Sequence, residues 1–294
     1  MASVQDLKRR IRSVRNTRKL TKAMELVASA RLRRAQARIE AMRPYADRML
    51  ELMVGTARAS ASVRGLPLLQ RRDVRTVALL PLTGDRGLAG AFNAQVLRRA
   101  FALERALRAE GSSVRWLVGG KKGRSTLRFR GYELQHAWSG FSDRPAYADA
   151  QAIAHRLSEL YSQGEVDRVV IVYNHFESPL VQRVVEQDVL PIPESLLEAG
   201  DEERDTLRGD FIYEPEPEQI LERLLPVYVE TEIYRALLES AASEQGARMT
   251  AMRNASSNAG ELIGVLTLEM NRARQAEITQ EILEVVAGAD ALTA

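Results

Sequence analysis

The sequence predicts an α/β protein with two parts: a long antiparallel coiled coil, formed by helices at the two ends of the chain, and a central Rossmann-like parallel α/β domain. Two observations lead to this fold class. Both ends carry apolar residues at alternating steps of three and four, whereas the middle alternates short β-rich runs with helical segments. The corresponding parts are 1–62, 74–210 and 216–288, and 294 residues suffice for all three.

The N-terminal helix is predicted from an apolar seam that is polar only near its middle. Its members are Val4, Leu7, Ile11, Val14, Arg18, Thr21, Glu25, Ala28, Leu32, Ala35, Ile39, Met42, Ala46, Met49 and Met53. Residues 1–48 also hold 14 Lys or Arg against four Asp or Glu. These cations are interpreted in three ways: as a solvated face, as a nucleic-acid contact over residues 8–38, or as a surface for an acidic protein partner.

The central domain is predicted from three apolar runs, "RTVALLPL", "VRWLVGG" and "DRVVIVYNH". The helical segments "AFNAQVLRRAFALERALRAEG" and "YADAQAIAHRLSELYSQG" lie between them, as in a parallel α/β sheet. A further strand is expected at "VQRVVEQDVLPI", at an edge of the sheet. The polar run "EAGDEERDTLRG" is expected to be a mobile surface loop.

The C-terminal helix carries a second seam, rich in small residues that allow two backbones to approach closely. Its members are Leu238, Ala242, Gln245, Met249, Met252, Ser256, Ala259, Ile263, Leu266, Met270 and Ala273. Two such helices at opposite ends of one chain are expected to pair with each other in antiparallel fashion, although two separate partners remain an alternative.

No catalytic, cofactor or metal site is predicted. The chain has no cysteine and only three histidines, which excludes disulfides and thiolate sites. "TGDRGLAGAFN" lies between a strand and a helix, where phosphates are often held, but it matches no phosphate-binding motif. We therefore interpret Gly84, Gly87 and Gly90 as turn and packing residues, "GGKKGRS" as a solvated basic loop, and His175 as structural or exposed. An enzyme that binds a ligand at residues 84–90 remains an alternative.

The stretch "EMNRARQAEITQEILEVVAGADAL" near the C-terminus is predicted to be helical, but its apolar residues do not continue the seam. Continued beyond Ala273, the seam reaches only Glu277, Gln280 and Glu284. The apolar residues here are Ile278, Ile282, Leu283, Val285 and Val286, and they are expected on all sides of the helix. Because a helix apolar all round must be surrounded, this tip is expected to extend beyond the N-terminal helix into another protein.

Several motifs together resemble one family. "LKRRIRSVRNTRKLTKAMELVASARLRRAQ" and "RPYA" near the start, "DRGLAGAFN" in the middle, and "ESAASEQGARMTAMRNASSNAGELI" with "NRARQAEITQEILEVVAGADAL" near the end are similar to the gamma subunit of F-type ATP synthase. The resemblance covers nearly the whole chain in the same order.

The resemblance implies a central rotor shaft of the proton-translocating ATP synthase. Such a shaft couples rotation of the membrane c-ring to conformational cycling of the catalytic beta subunits. The implied partners are three alpha and three beta subunits around one gamma, the epsilon subunit and the c-ring, with no nucleic acid and with membrane association only through partners. Because the chemistry belongs to beta, no enzymatic activity and no cofactor are expected in this chain.

Matching motifs also imply two sets of contact residues. The beta-subunit contacts are Met24 of "TKAMELV" and Arg274, Gln275 and Thr279 of "RARQAEITQE". The contacts to the c-ring and epsilon are Arg43 and Tyr45 of "RPYA" and Tyr213 and Glu214 of "DFIYEP". For Met24, packing against the partner helix is an equal alternative.

The expected location is the cytoplasmic face of a bacterial cell membrane, as a peripheral protein. The start "MASVQDLKRR" lacks the apolar core of a signal peptide and does not read as a transit peptide. The cysteine pair and the inserted segment of chloroplast gamma subunits are absent, so thiol control is not expected.

Overall fold

The computed structural model of the chain describes residues 3–60, 65–193 and 214–293, with side chains as far as Ala287. Along these residues the helices are α1 Val4–Ala59, α2 Phe92–Ala109, α3 Lys121–Phe129, α4 Tyr147–Ser162 and α5 Pro217–Thr293. The strands are β1 Thr76–Pro81, β2 Ser113–Gly119, β3 Leu134–Trp138, β4 Arg168–Phe176 and β5 Gln182–Leu190. The predicted fold class is confirmed, whereas the loop expected at residues 198–209 lies outside the described residues.

The strands form one sheet in the order β3-β2-β1-β4-β5. The first four are parallel, and β5 pairs antiparallel with β4 at an edge, where an edge strand was predicted. Residues on alternate sides of the strands pack into two apolar clusters. One cluster contains residues of α2 and α3, and the other contains residues of α1, α4 and α5. The sheet therefore has helices on both faces, as a mostly parallel sheet requires.

Two elements of the sheet domain differ from the sequence prediction. The run "GGKKGRS", interpreted as a solvated loop, contains the start of α3, and β3 follows it. Helix α3 buries only Gly123 and Leu127, and β3 is an edge strand with half-exposed residues. Neither segment has the apolar content on which the prediction depended.

The chain divides into two compact units. In the first, residues 1–28 with 249–294, α1 and α5 run antiparallel: Leu7 and Ile11 pack with Leu266, and farther along α1 the Glu25 carboxylate pairs with Arg253 at 3.2 Å. Ten of the sixteen predicted seam residues of this unit are buried. They are Val4, Leu7, Ile11, Thr21, Glu25 and Ala28 on α1, and Met249, Met252, Ala259 and Leu266 on α5. Val14, Ser256, Ile263, Met270 and Ala273 are half-buried, whereas Arg18 is exposed, so the prediction is wrong for Arg18.

The second unit is Ser29–Arg248 and contains the sheet. Within it, Met49, Met53 and Ala57 of α1 share the apolar core with α4 and with residues of α5 from Leu221 to Leu237. The Ser60 hydroxyl donates to Glu218 at 2.6 Å, so α1 and α5 are antiparallel in this unit as well. In the described part of the chain, no helix is long and apolar enough to cross a membrane.

Candidate partner interface

The end of α5 presents apolar side chains that nothing in the described chain covers. Ala273 is the last residue of the seam that is partly buried, and every residue from 274 to 287 is exposed. We call residues 274–287 the C-terminal tip. Its large apolar side chains are Ile278, Ile282, Leu283, Val285 and Val286, with exposed fractions of 46% to 73%. A continuous set of exposed apolar residues of this size is typical of an interaction surface.

The apolar residues of the tip lie on one broad face, so the expectation that they surround the helix is wrong. An α-helix turns by about 100° per residue, which places all five within an arc of roughly 160°. The carboxylates of Glu277, Glu281 and Glu284 occupy the opposite side, in line with the seam. The apolar face of α5 therefore changes side after Ala273, and the new face is turned away from the line along which α5 packs on α1.

The predicted beta-subunit contacts on the tip belong to this new face. Gln275 and Thr279 are one helical turn apart within the apolar arc, and Arg274 is at its edge. All three are exposed. The Thr279 hydroxyl donates to the backbone oxygen of Gln275 at 2.9 Å, whereas the Arg274 guanidinium has no ion pair within the described residues. The apolar face thus includes groups that can form hydrogen bonds with a partner.

A second apolar stripe precedes the tip on the exposed side of α5. Leu262, Val265 and Leu268 follow one another at steps of three and are 46% to 54% exposed. On α1, the predicted contact Met24 is half-buried and lies between Leu20 and Val27, which are 62% and 53% exposed. Met24 is therefore part of an exposed apolar stripe as well as a neighbour of the seam.

The first turns of α1 carry cations that are largely without carboxylate partners. The side chains of Lys8, Arg9, Arg10, Arg12, Arg15, Arg18, Lys19 and Lys22 are all exposed. Within the described residues, Arg9 approaches Asp6 at 3.9 Å and Lys22 bonds Glu25 at 2.9 Å. The hydrogen bond from Lys22 is the largest cause of the lowered pKa of Glu25. This helix face remains strongly positive and suits an acidic partner surface.

In the sheet domain, the N-terminus of α3 is occupied by acceptors from the loop that follows β1. The first backbone N–H of α3, that of Lys121, donates to Asp85 Oδ1 at 2.9 Å. The N–H groups of Gly140 and Ser142 donate to Asp85 Oδ2 at 2.8 and 3.2 Å, and the N–H of Gly123 donates to the Thr83 hydroxyl oxygen at 2.9 Å. A carboxylate of the chain therefore takes the anion position that the helix N-terminus offers. This arrangement leaves no room for a bound anion at the first N–H of α3.

The residues predicted to contact the c-ring and epsilon do not line one common cavity. Tyr45 is 51% exposed and lines an open cavity of about 440 Å³ with Tyr147 and Tyr234. Arg43 is exposed and lines a different, smaller cavity. Glu214 is exposed, and Tyr213 lies outside the described residues.

His175, interpreted from the sequence as structural or exposed, is half-exposed and has a carboxylate partner. Its Nδ1 is 2.5 Å from Glu239 Oε2, which connects β4 to α5. The two residues are 64 positions apart in the sequence, so no short sequence motif contains both of them. We assign it a structural role.

Comparison with known proteins gives a consistent result. A family profile described as ATP synthase matches residues 3–292. The ATP synthase gamma chain of Rubrobacter xylanophilus is 49% identical over 298 residues, with 100% of both chains covered. A chain in the central stalk and c-ring structure of the Tetrahymena thermophila mitochondrial ATP synthase is 29% identical with a TM-score of 0.58, over 81% of this chain and 99% of that chain. A chain of the Euglena gracilis mitochondrial ATP synthase, at 17% identity, shares the fold with a TM-score of 0.70, over 98% and 94%.

Proposed function

This chain belongs to the ATP synthase gamma chain family, and we propose from that premise that it is the central rotor shaft of a proton-translocating F-type ATP synthase. Rotation of the membrane c-ring turns the shaft, and the turning shaft takes the catalytic beta subunits through their conformational cycle. Three alpha and three beta subunits surround one copy of the chain, which also binds the epsilon subunit. The proposed domain bounds are 1–62 and 216–288 for the two helical parts and 74–210 for the α/β domain, and the described helices Val4–Ala59 and Pro217–Thr293 support them.

The observation that carries the proposal is the change of apolar face at the C-terminal tip. Up to Ala273 the buried side of α5 is the seam that packs on α1. Beyond it, the seam line carries glutamates and the apolar residues lie on another side. Burying those glutamates against an apolar helix would be costly, since each charge would lose its hydration. The apolar face of the tip is therefore suited to contact with a protein other than α1, such as the alpha and beta subunits.

Four residues are proposed as beta-subunit contacts: Met24, Arg274, Gln275 and Thr279. The guanidinium of Arg274 has donors to offer in a planar fork that suits carboxylate or carbonyl oxygens. Gln275 and Thr279 bring polar groups into an apolar face, which favours a partner loop that supplies both apolar side chains and backbone oxygens. Met24 adds an adaptable apolar side chain next to the positive face of α1.

The contacts at the other end of the two helices are proposed to be Arg43, Tyr45, Tyr213 and Glu214, toward the c-ring and epsilon. The exposure of Arg43, Tyr45 and Glu214 supports this assignment. The chain would reach the membrane only through these partners, as a peripheral protein at the cytoplasmic face of a bacterial membrane.

The chain is proposed to be non-catalytic. Asp85 occupies the N-terminus of α3, one of the helix N-termini that follow the sheet strands. ATP chemistry then belongs to the beta subunits, and the shaft contributes by its contacts alone.

Native mass spectrometry of the complex that co-purifies with the chain from mildly solubilised membranes tests the proposal. One copy of the chain with three alpha and three beta subunits, together with ATP hydrolysis, is the expected result. A self-assembled oligomer of the chain without these partners would refute the rotor function. Phosphate or nucleotide binding by the isolated chain at residues 84–90 would favour an enzyme instead.

A further inference from the structure

The loop of residues 83–90, which follows β1, packs against a buried ion pair within α5. Glu244 and Arg248 are 1% and 8% exposed, and Arg248 Nη2 lies 2.5 Å from Glu244 Oε1. The same nitrogen donates to the backbone oxygen of Gly87 at 3.2 Å. Gly84 rests directly on the Glu244 carboxylate, since a Cβ at Gly84 would lie 2.8 Å from its atoms. The loop therefore touches α5 through backbone at two points.

Asp143, in the segment before α4, joins the same loop to both long helices. Its Oδ2 accepts a hydrogen bond from Arg31 of α1 at 2.8 Å and lies 3.4 Å from Arg86 of the loop. Its Oδ1 accepts a hydrogen bond from the Gln245 side chain of α5 at 3.2 Å. One carboxylate thus connects α1, α5 and the loop within this unit. We call the group Gly84, Asp143, Glu244 and Arg248 the clasp.

The clasp begins where the apolar core along α5 ends. The core that α5 shares with the sheet and α4 runs from Leu221 to Leu237. After Leu237 the buried face of α5 in this unit mixes small or apolar residues with polar ones. The apolar ones are Leu238, Ala241 and Ala242, and the polar ones are Glu239, Ser240, Ser243, Glu244, Gln245 and Arg248. Apolar contacts are non-directional, whereas hydrogen bonds and ion pairs require one geometry. The clasp therefore adds directional contacts between the loop and α5 to the packing of the apolar core and to the His175–Glu239 pair.

The arrangement is poorly explained by stability alone. Buried ion pairs are often no more stabilising than apolar residues of the same volume, and fixing a register is their best-attested use. Two polar atoms of this region, Arg248 Nη1 and Gln245 Oε1, are buried without a partner among the described residues. Leaving such atoms unsatisfied costs free energy. A cluster that carries this cost is better suited to holding a position than to adding stability.

We propose that Gly84, Asp143 and Glu244 are positioning residues for rotary coupling, which hold the α/β domain in one register on α5 so that the domain and the helices of this unit turn as one body. These roles presuppose the rotor function proposed above. Loosening the clasp should let part of the rotation be absorbed as slippage between the loop and α5. ATP hydrolysis would continue, but less of it would drive ion movement.

The test uses the whole ATP synthase in vesicles, with ATP hydrolysis and ATP-driven proton uptake measured on the same sample. Gly84→Ala forces either the Glu244 carboxylate or the loop to move, and so disturbs the clasp without changing any charge. Gly65→Ala is the control, because Gly65 lies outside the 83–90 loop and a Cβ there would meet nothing within 4 Å. We expect a partial loss of proton uptake per ATP hydrolysed for Gly84→Ala and the wild-type ratio for Gly65→Ala.

An unchanged ratio in assembled Gly84→Ala enzyme would overturn the positioning role while leaving the rotor function intact. Absence of coupled proton uptake in the wild-type complex would instead count against the rotor function. If the Gly84→Ala enzyme does not assemble, the same ratio of proton uptake to ATP hydrolysis is measured for Asp143→Asn. This substitution removes the charge of the Asp143 carboxylate and keeps the shape of the side chain. Hydrogen exchange of the β4 amides in the variant checks that the core is intact. With an intact core, a lowered ratio supports the clasp and a wild-type ratio refutes it.

Discussion

Replacing Asp85 with alanine should destabilise the α/β domain by about 2 to 4 kcal/mol. The side chain accepts three backbone hydrogen bonds, from Lys121, Gly140 and Ser142, at 2.9, 2.8 and 3.2 Å. A hydrogen bond to a charged group contributes roughly 1.5 to 3 kcal/mol. Because Asp85 is only half-buried and water can replace it in part, we take the total well below the sum of three such bonds.

The assay is urea unfolding of the isolated chain, with the wild type and two further variants measured in parallel. Asp73→Ala is the control, because Asp73 is exposed and should change the free energy of unfolding by less than about 0.5 kcal/mol. Asp85→Asn should fall between the two, since it keeps one acceptor oxygen and loses the charge that favours the helix N-terminus.

The same variant tests whether Asp85 occupies an anion site. In Asp85→Ala the N–H groups at the start of α3 lose their acceptor, and inorganic phosphate can take its place. Phosphate should therefore raise the unfolding midpoint of Asp85→Ala more than that of the wild type. The reasoning is refuted if Asp85→Ala matches Asp73→Ala in stability and phosphate has no selective effect.

Three further predictions concern other parts of the chain. Ala259→Leu should overpack the seam and lower stability by about 1 to 3 kcal/mol, whereas Gly264→Ala, with open space around it, should not destabilise; equal melting temperatures for the two variants would contradict this. Burial raises the pKa of the Glu244 carboxyl more than the neighbouring Arg248 guanidinium lowers it. The wild type should therefore lose stability relative to Glu244→Gln as the pH rises from 4.5 through the raised folded-state pKa. A difference in the free energy of unfolding between the two proteins that stays constant from pH 4 to 8 would disprove this. Ile278→Gln, on the apolar face of the tip, should weaken assembly with alpha and beta subunits more than Glu277→Gln on the opposite side, and pull-down yields that do not differ would reject the proposed face.

The long helices and most strands were predictable because their signals are local. A seam such as Leu7, Ile11 and Val14 repeats within the residues that form it, and "RTVALLPL" contains its own β-rich run. Helix α3 was missed because a nine-residue helix that buries only Gly123 and Leu127 has too few apolar residues to be recognised from the sequence. The prediction for the tip was wrong because the number of apolar residues does not show their positions around the helix, which follow from a turn of about 100° per residue.

The contacts that decide the site are non-local, and sequence spacing does not show them. Asp85 meets backbone groups 36 and 55 residues away, and His175 meets Glu239 across 64 residues. The pair Glu244 and Arg248 is an exception, because residues four apart on a helix face each other. Its burial against the 83–90 loop, however, follows only from the way the sheet packs on α5.

Helix α5 changes what it buries along its length, so the same kind of substitution should have different consequences at its two ends. Leu237 is 3% exposed in the apolar core, and Leu237→Ala should lower the stability of the isolated chain by about 2 to 5 kcal/mol. Ile282 is 58% exposed, and Ile282→Ala should change that stability by less than about 0.5 kcal/mol. If the apolar face of the tip acts by contacting a partner, Ile282→Ala should lower the stability of the assembly with alpha and beta subunits and leave that of the isolated chain unchanged. A loss of stability of the isolated chain in Ile282→Ala would mean that the tip already packs within the chain, which would remove the main argument for an enclosing partner.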